Sequence, residues 1–106
     1  MRMWKVDPKK LCRQHLLGEH LEMHMFANEI KAGKKLKGYV KHGLVEVHNV
    51  IKRHDALAKE MKRRGYHHKS PIAKPKLWKE GKVDVSRSIK DLKKRCRECR
   101  KRLQNI

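Results

Sequence analysis

With 106 residues, thirty Lys and Arg against eleven Asp and Glu, and a formal net charge of +19, the chain has room for one domain with a modest core. An ordinary solvated surface does not explain that charge. Because the basic residues run the length of the chain, they point to a polyanion bound through counterion release from phosphates. No apolar run reaches the length of a membrane span, the first residues carry no signal-peptide core, and three cysteines make no secreted disulfide framework.

The expected protein is therefore intracellular, nucleoid-associated by its charge, and without a membrane partner. It opens on Met1-Arg2-Met3-Trp4. Arg2 is large, so an aminopeptidase that needs a small second residue leaves Met1 in place, and Met1 is the expected mature terminus. An α-amine ordinarily titrates near ~8, against ~10.4 for lysine, so more of it is nucleophilic at neutral pH. A chain that holds its first residue beside a carboxylate can do Schiff-base chemistry without a catalytic lysine.

Asp7-Pro8 is a helix-start signature and predicts a first helix from Pro8 to Ala32, stopped by Gly33. Leu11, Leu17, Leu21, Met25, Phe26 and Ile30 supply its apolar positions. Gly18 lowers helix propensity, and is read as a site of close approach by the N-terminal segment or by a neighbouring helix. Lys34 to His42 reads as a basic connector. Leu44, Val47, Val50, Ile51, Leu57 and Met61 recur at helical spacing and predict a second helix from Gly43 to Arg64, ended by Gly65. Residues 66 to 83 read as an ordered loop anchored by Trp78. Asp84 or Ser86 caps a third helix to Leu103, with an apolar seam of Ile89, Leu92, Cys96, Cys99 and Leu103 and an opposite face of Lys and Arg. The expected architecture is all-α, a single compact domain over residues 1–106, with three main helices and an ordered loop between the second and third.

Leu11, His15, Gly18 and Glu22 follow one stripe of the first helix. An inward Glu22 needs a cation, and Met1 and Arg2 are the near candidates. The bland alternative is a structural pairing of Glu22 with an arginine. His20 and His24, four apart, could share an ion, but no third ligand is evident, and they read as exposed histidines facing nucleic acid. Cys96-Arg-Glu-Cys99 has the spacing of a zinc-ligand pair. A second pair could come only from Cys12 with His67 or His68. Both cysteines also fit the apolar seam, which reads them as buried reduced thiols, with no metal and no organic cofactor required.

The run Gln14-His15-Leu16-Leu17-Gly18-Glu19-His20-Leu21-Glu22 behind Met1-Arg2, and then Lys62-Arg63-Arg64-Gly65-Tyr66 with His68-Lys69-Ser70-Pro71, resembles the pyrimidine-dimer DNA glycosylase family. The likeness covers most of residues 1 to 71 and fades in the third helix. It implies a DNA repair glycosylase with abasic-site lyase activity. In that family the terminal amine attacks the sugar C1′, the base is expelled, a Schiff base forms, and a helix Glu assists ring opening and β-elimination. Carried over, Met1 and Glu22 are catalytic, and Arg2, Gln14, His15 and Lys69 contact DNA. Met1 stands where the family's phage enzyme begins with Thr, and Leu21 and Met25 stand where it has arginines. Arg13, His20, His24 and Arg95 are the candidates to take over that phosphate contact. The expected partner is double-stranded DNA with damaged pyrimidines, bound by a monomer. The charge alone would equally suit a non-catalytic DNA- or RNA-binding module, and Cys96 with Cys99 a zinc-stabilised adaptor.

Overall fold

The structure, a computed structural model, describes residues 1–67 and 71–104. Among these the regular elements are all helical, as expected: α1 Arg13–Lys31, α2 Lys37–Lys41, α3 Val50–Arg63, α4 Val85–Arg95 and α5 Arg97–Leu103, with short 3-10 turns at Pro8–Lys10 and Val47–Asn49. No helix among them is long and apolar enough to cross a membrane.

α1 and α3 form the core. Leu16, Met23, Phe26, Ala27 and Ile30 on one stripe of α1 and Val50, Leu57 and Met61 on one stripe of α3 are all buried, the i, i+3, i+4 pattern of amphipathic helices that bury one face. The third expected helix supplies Leu92, Cys99 and Leu103 to the same core.

Three boundaries differ from the sequence expectation, each for a physical reason. The first helix does not run unbroken from Pro8. After the 3-10 turn, Leu11 (φ −85°, ψ 141°) and Cys12 (φ −68°, ψ 168°) are extended, and α1 starts at Arg13. The Arg64 guanidinium accounts for the turn: its Nη2 donates to the carbonyls of Pro8 at 3.2 Å and Leu11 at 2.8 Å, while Nε is held by Glu60 at 2.8 Å. The second helix does not begin at Gly43, because the backbone of residues 44–47 is used elsewhere. Leu44 O accepts from Met3 N at 2.7 Å, and Val47 N donates to Glu80 O at 2.9 Å. The third helix is broken at Cys96 (φ −131°, ψ 113°) into α4 and α5. The connector at Lys34 to His42 also contains one short helix, α2.

The loop after α3 is not anchored by Trp78, which is 40% exposed and donates through Nε1 to Glu80 at 2.9 Å. Among its described residues, Ile72 and Val83 are buried. Gly81 fixes its path: φ is +93°, and a Cβ there would collide with the Val45 carbonyl, so only glycine fits. Buried Glu46 ties the loop to the rest of the fold. Its carboxylate accepts from Val83 N at 2.9 Å, Asn49 Nδ2 at 2.6 Å and Lys5 Nζ at 3.0 Å. Burial opposes ionisation of Glu46, but the Val83 amide, Asn49 and Lys5 outweigh it and lower the carboxyl below its usual range.

Candidate active site

The first four residues lie extended across α1, and their amides alternate in direction as an extended chain requires. Arg2 N donates to Glu22 Oε1 at 2.7 Å, Met3 N to the Leu44 carbonyl, and Trp4 N to Glu19 Oε2 at 3.1 Å. Even-numbered amides thus face two carboxylates of α1, and the odd one faces the chain before α3. Met3 and Trp4 are buried and hold the segment by apolar contact. At Lys5 the chain turns away with φ +62°, a left-handed conformation that costs a non-glycine residue about 1–2 kcal/mol.

Glu19 and Glu22 have different surroundings although three residues apart. Glu19 is 2% exposed, and Arg53 grips both its oxygens, Nε to Oε2 at 2.6 Å and Nη2 to Oε1 at 2.9 Å. Glu22 is half-buried and takes a main-chain amide. The structural carboxylate paired with an arginine is therefore Glu19, and Glu22 sits beside the chain terminus. His15, half-buried on the same helix, packs its ring edge-on against Trp4 with centroids 5.6 Å apart. Burial lowers its pKa, against an opposing pull from Glu19 and Glu22.

Trp4, Gln14, His15, Gly18, Glu19 and Glu22 line a shallow depression of about 260 Å³. A Cβ on Gly18 would meet nothing within 4 Å. Gly18 is thus not a point of close helix or backbone approach. It leaves the floor of this depression open.

Gln14, which lines the depression, and Arg13 are both exposed, Arg13 with its guanidinium 5.4 Å from the Tyr66 ring. Leu21 and Met25, the positions at which the resemblance departs from the family's arginines, are 59% and 43% exposed. Arg2, an expected DNA contact, has its side chain engaged within the fold. Only 13% exposed, it pairs with Asp91 at 2.9 Å and lies 3.9 Å over the Trp4 ring. That pairing lowers the Asp91 pKa. His20 is not an exposed nucleic-acid-facing residue. It is 8% exposed and stacks with His24 and His54, the three ring centroids being 4.6–4.8 Å apart, while His54 Nε2 meets His24 Nε2 at 3.1 Å. Lys69 and His68 lie outside the described residues.

Sequence reasoning missed Glu19, Arg53 and Asp91. An alternation signal existed for the first: Glu19 falls on the stripe of Leu16, Met23 and Phe26, where an acidic side chain needs a buried cation, and Arg53 is the arginine on the inward stripe of α3.

Into this geometry fits the result of comparison with protein families. A family model for pyrimidine dimer DNA glycosylase matches residues 1–74. The chain belongs to the pyrimidine dimer DNA glycosylase family, a family of DNA repair enzymes, and its implied substrate is DNA. Neither a curated protein nor a solved structure matches it.

Proposed function

We propose that the protein excises dimerised pyrimidines from duplex DNA and cuts the strand at the resulting site as a lyase, with the Met1 α-amine as nucleophile. The observation that carries this reading is the 2.7 Å bond from Arg2 N to Glu22. It holds the residue before Arg2 within one peptide unit of a half-buried carboxylate, at the edge of an open depression.

The amine nitrogen bonds to C1′ as the glycosidic bond breaks. Loss of a proton and opening of the sugar ring leave an imine. A proton is then taken from C2′ and the 3′ phosphate departs. Glu22 stabilises the positive charge that develops on the sugar and moves the protons of ring opening and elimination. Its bond to a neutral amide leaves the carboxylate charge uncompensated by a fixed cation, unlike that of Glu19. Gln14 and Arg13 hold the strand at the exposed rim, and the Lys- and Arg-rich surface supplies the phosphate attraction. Trp4 offers an apolar wall against an unstacked base or sugar.

Borohydride trapping on ultraviolet-irradiated duplex tests the proposal, since only an imine is reduced to a stable crosslink. A crosslink should form with the free terminus and vanish when the α-amine is blocked by an uncleaved tag, with affinity for undamaged duplex nearly unchanged. Full trapping by the blocked protein overturns the amine assignment. Tight binding with neither trapping nor cleavage leaves a binding module.

A further inference from the structure

The cysteines do not behave as three unrelated core thiols. Cys12, His15, Cys96 and Cys99 come together with their side-chain ligand atoms all within 4.8 Å of one another. We propose that these four residues bind a zinc ion, as a closed structural site next to the candidate active site.

Distance is the first argument. Around zinc, with bonds of ~2.3 Å to sulfur and ~2.0–2.1 Å to nitrogen, a tetrahedron has sulfur–sulfur edges of about 3.8 Å and sulfur–nitrogen edges of about 3.6 Å. Here Cys12 Sγ and Cys96 Sγ are 3.8 Å apart, and His15 Nδ1 lies 3.3 Å from Cys12 Sγ and 3.5 Å from Cys99 Sγ. The cysteines are free, and a disulfide would need sulfurs at ~2.05 Å.

The second argument is the direction of the hydrogen bonds. Each sulfur accepts a main-chain N–H: Cys12 Sγ from His15 N at 3.4 Å, Cys96 Sγ from Cys99 N at 3.4 Å, and Cys99 Sγ from Cys12 N at 3.3 Å. Donors aimed at sulfur favour the thiolate, and outer-shell bonds of this kind orient metal ligands. Three thiolates this close repel one another unless a cation lies between them.

Backbone geometry gives a third. Cys12 precedes α1 and Cys96 precedes α5 in the same way, each extended, each with its sulfur over the amide three residues on. The sequence thus carries a Cys-x2-His and a Cys-x2-Cys pair, a spacing used by zinc ligands. Nothing in Lys93-Lys94-Arg95-Cys96-Arg97-Glu98-Cys99 breaks a helix by itself, since it holds neither Pro nor Gly. A metal bond at Cys96 supplies the reason for the break.

Three sulfurs and one imidazole in a tetrahedron select zinc over magnesium, calcium or copper(II), and four protein ligands leave no open position for catalysis. The site joins residues 84 positions apart. Cys96 and Cys99 lie beyond the stretch matched by the family model, while Cys12 and His15 lie within it. The ion would fix the ring of His15, a wall of the depression and a neighbour of Trp4, so His15 becomes a metal ligand instead of a DNA contact. The partner of Cys12 in the second ligand pair is His15, where the sequence alone offered His67 or His68; His68 lies outside the described residues. His67 is exposed and lines a depression with His54 and Tyr66.

The test uses the full chain freed of any metal-binding tag. Elemental analysis should find one zinc per chain. Replacement by cobalt(II) should give the intense visible bands of a tetrahedral ion and a thiolate-to-metal charge-transfer band. Cys96→Ser and Cys99→Ser should each abolish stoichiometric zinc. His15→Cys keeps four ligands, so it should retain zinc while strengthening the charge-transfer band, and it serves if the serine variants do not fold. Folded wild-type protein that takes up no zinc when supplied with it overturns the proposal. So does zinc that persists in a folded Cys96→Ser/Cys99→Ser variant, which would place the ion at His20, His24 and His54, and so does a coloured iron centre in its place.

Discussion

Arg53 and Glu19 meet through two hydrogen bonds of 2.6 and 2.9 Å beneath the N-terminal segment, with side chains 8% and 0% exposed. The pair joins α3 to α1 directly under Trp4, whose amide uses the same carboxylate. Arg53→Leu leaves a buried carboxylate without its cation and should cost about 3–5 kcal/mol, whereas replacing both partners with apolar residues should recover much of that loss. Urea unfolding of the single and double variants measures both numbers. An additive double variant would show that the two charges are not coupled.

Glu22→Gln separates binding from chemistry. The variant keeps an acceptor for Arg2 N but loses charge and basicity, so strand cleavage on irradiated duplex should fall ~10²-fold or more. Thermal unfolding should change little, because the buried ion pair belongs to Glu19. Near-normal cleavage by a well-folded variant would remove Glu22 from the mechanism.

Gly18 provides a test of the depression itself. Gly18→Ala should stabilise the protein by about 0.5–1 kcal/mol, since a Cβ has free space there and helix propensity improves. Gly18→Leu should also fold, yet fill the floor and misplace the sugar, lowering cleavage on the order of 10²-fold. Cleavage by Gly18→Leu at the wild-type rate would show that substrate does not enter there.

Leu21 is open to a gain of function. Leu21→Arg adds a cation to the exposed face of α1 at no packing loss. If that face meets a phosphate, the slope of log K against log salt should steepen by about 0.9. An unchanged slope at unchanged affinity would place the DNA path elsewhere.

Acid should act through Glu60. The hydrogen bond from Arg63, opposed by burial and reinforced by Arg64, lowers its pKa from 4.5 to about 2. A depressed carboxyl stabilises the fold fully above its unfolded value and loses that contribution as pH falls through the folded one. Asp91 and Glu46 are shifted the same way. Stability measured by urea unfolding should therefore decline between about pH 4.5 and about pH 2. Glu60→Gln should flatten part of that decline.

The helical class was legible, and so were the inward seams of the later segments, because Leu57, Leu92 and Leu103 repeat at the helical period and one face of each segment must leave water; on the first helix the expected Leu21 and Met25 are exposed, and Leu16 and Met23 are buried in their place. The stripe of Leu11, His15, Gly18 and Glu22 left Glu22 open between a structural arginine and the N-terminal segment; the resemblance favoured the second, and the Arg2 amide is what meets it. Ends of helices were less legible. The turn before α1 is held by the Arg64 guanidinium on the Leu11 carbonyl, a tertiary partner that local propensity does not encode. Partners far apart in sequence were invisible for the same reason: nothing near Arg2 announces Asp91, and nothing near His15 announces Cys99. The resemblance that made Arg2 an expected DNA contact carries no information on Asp91, the partner that holds its side chain.

The alternating amides of Arg2, Met3 and Trp4 act as a ruler. Each is committed to a different acceptor, so the segment cannot slide by one residue without breaking all three bonds and placing Met3, which has no charge for Asp91, where Arg2 lies. The position of whatever group precedes Arg2 is thereby set to within a fraction of a residue, about 3.3 Å per step. On the proposed mechanism, trimming or extending the segment by one residue moves the attacking amine by that full step relative to Glu22 while leaving the fold in place.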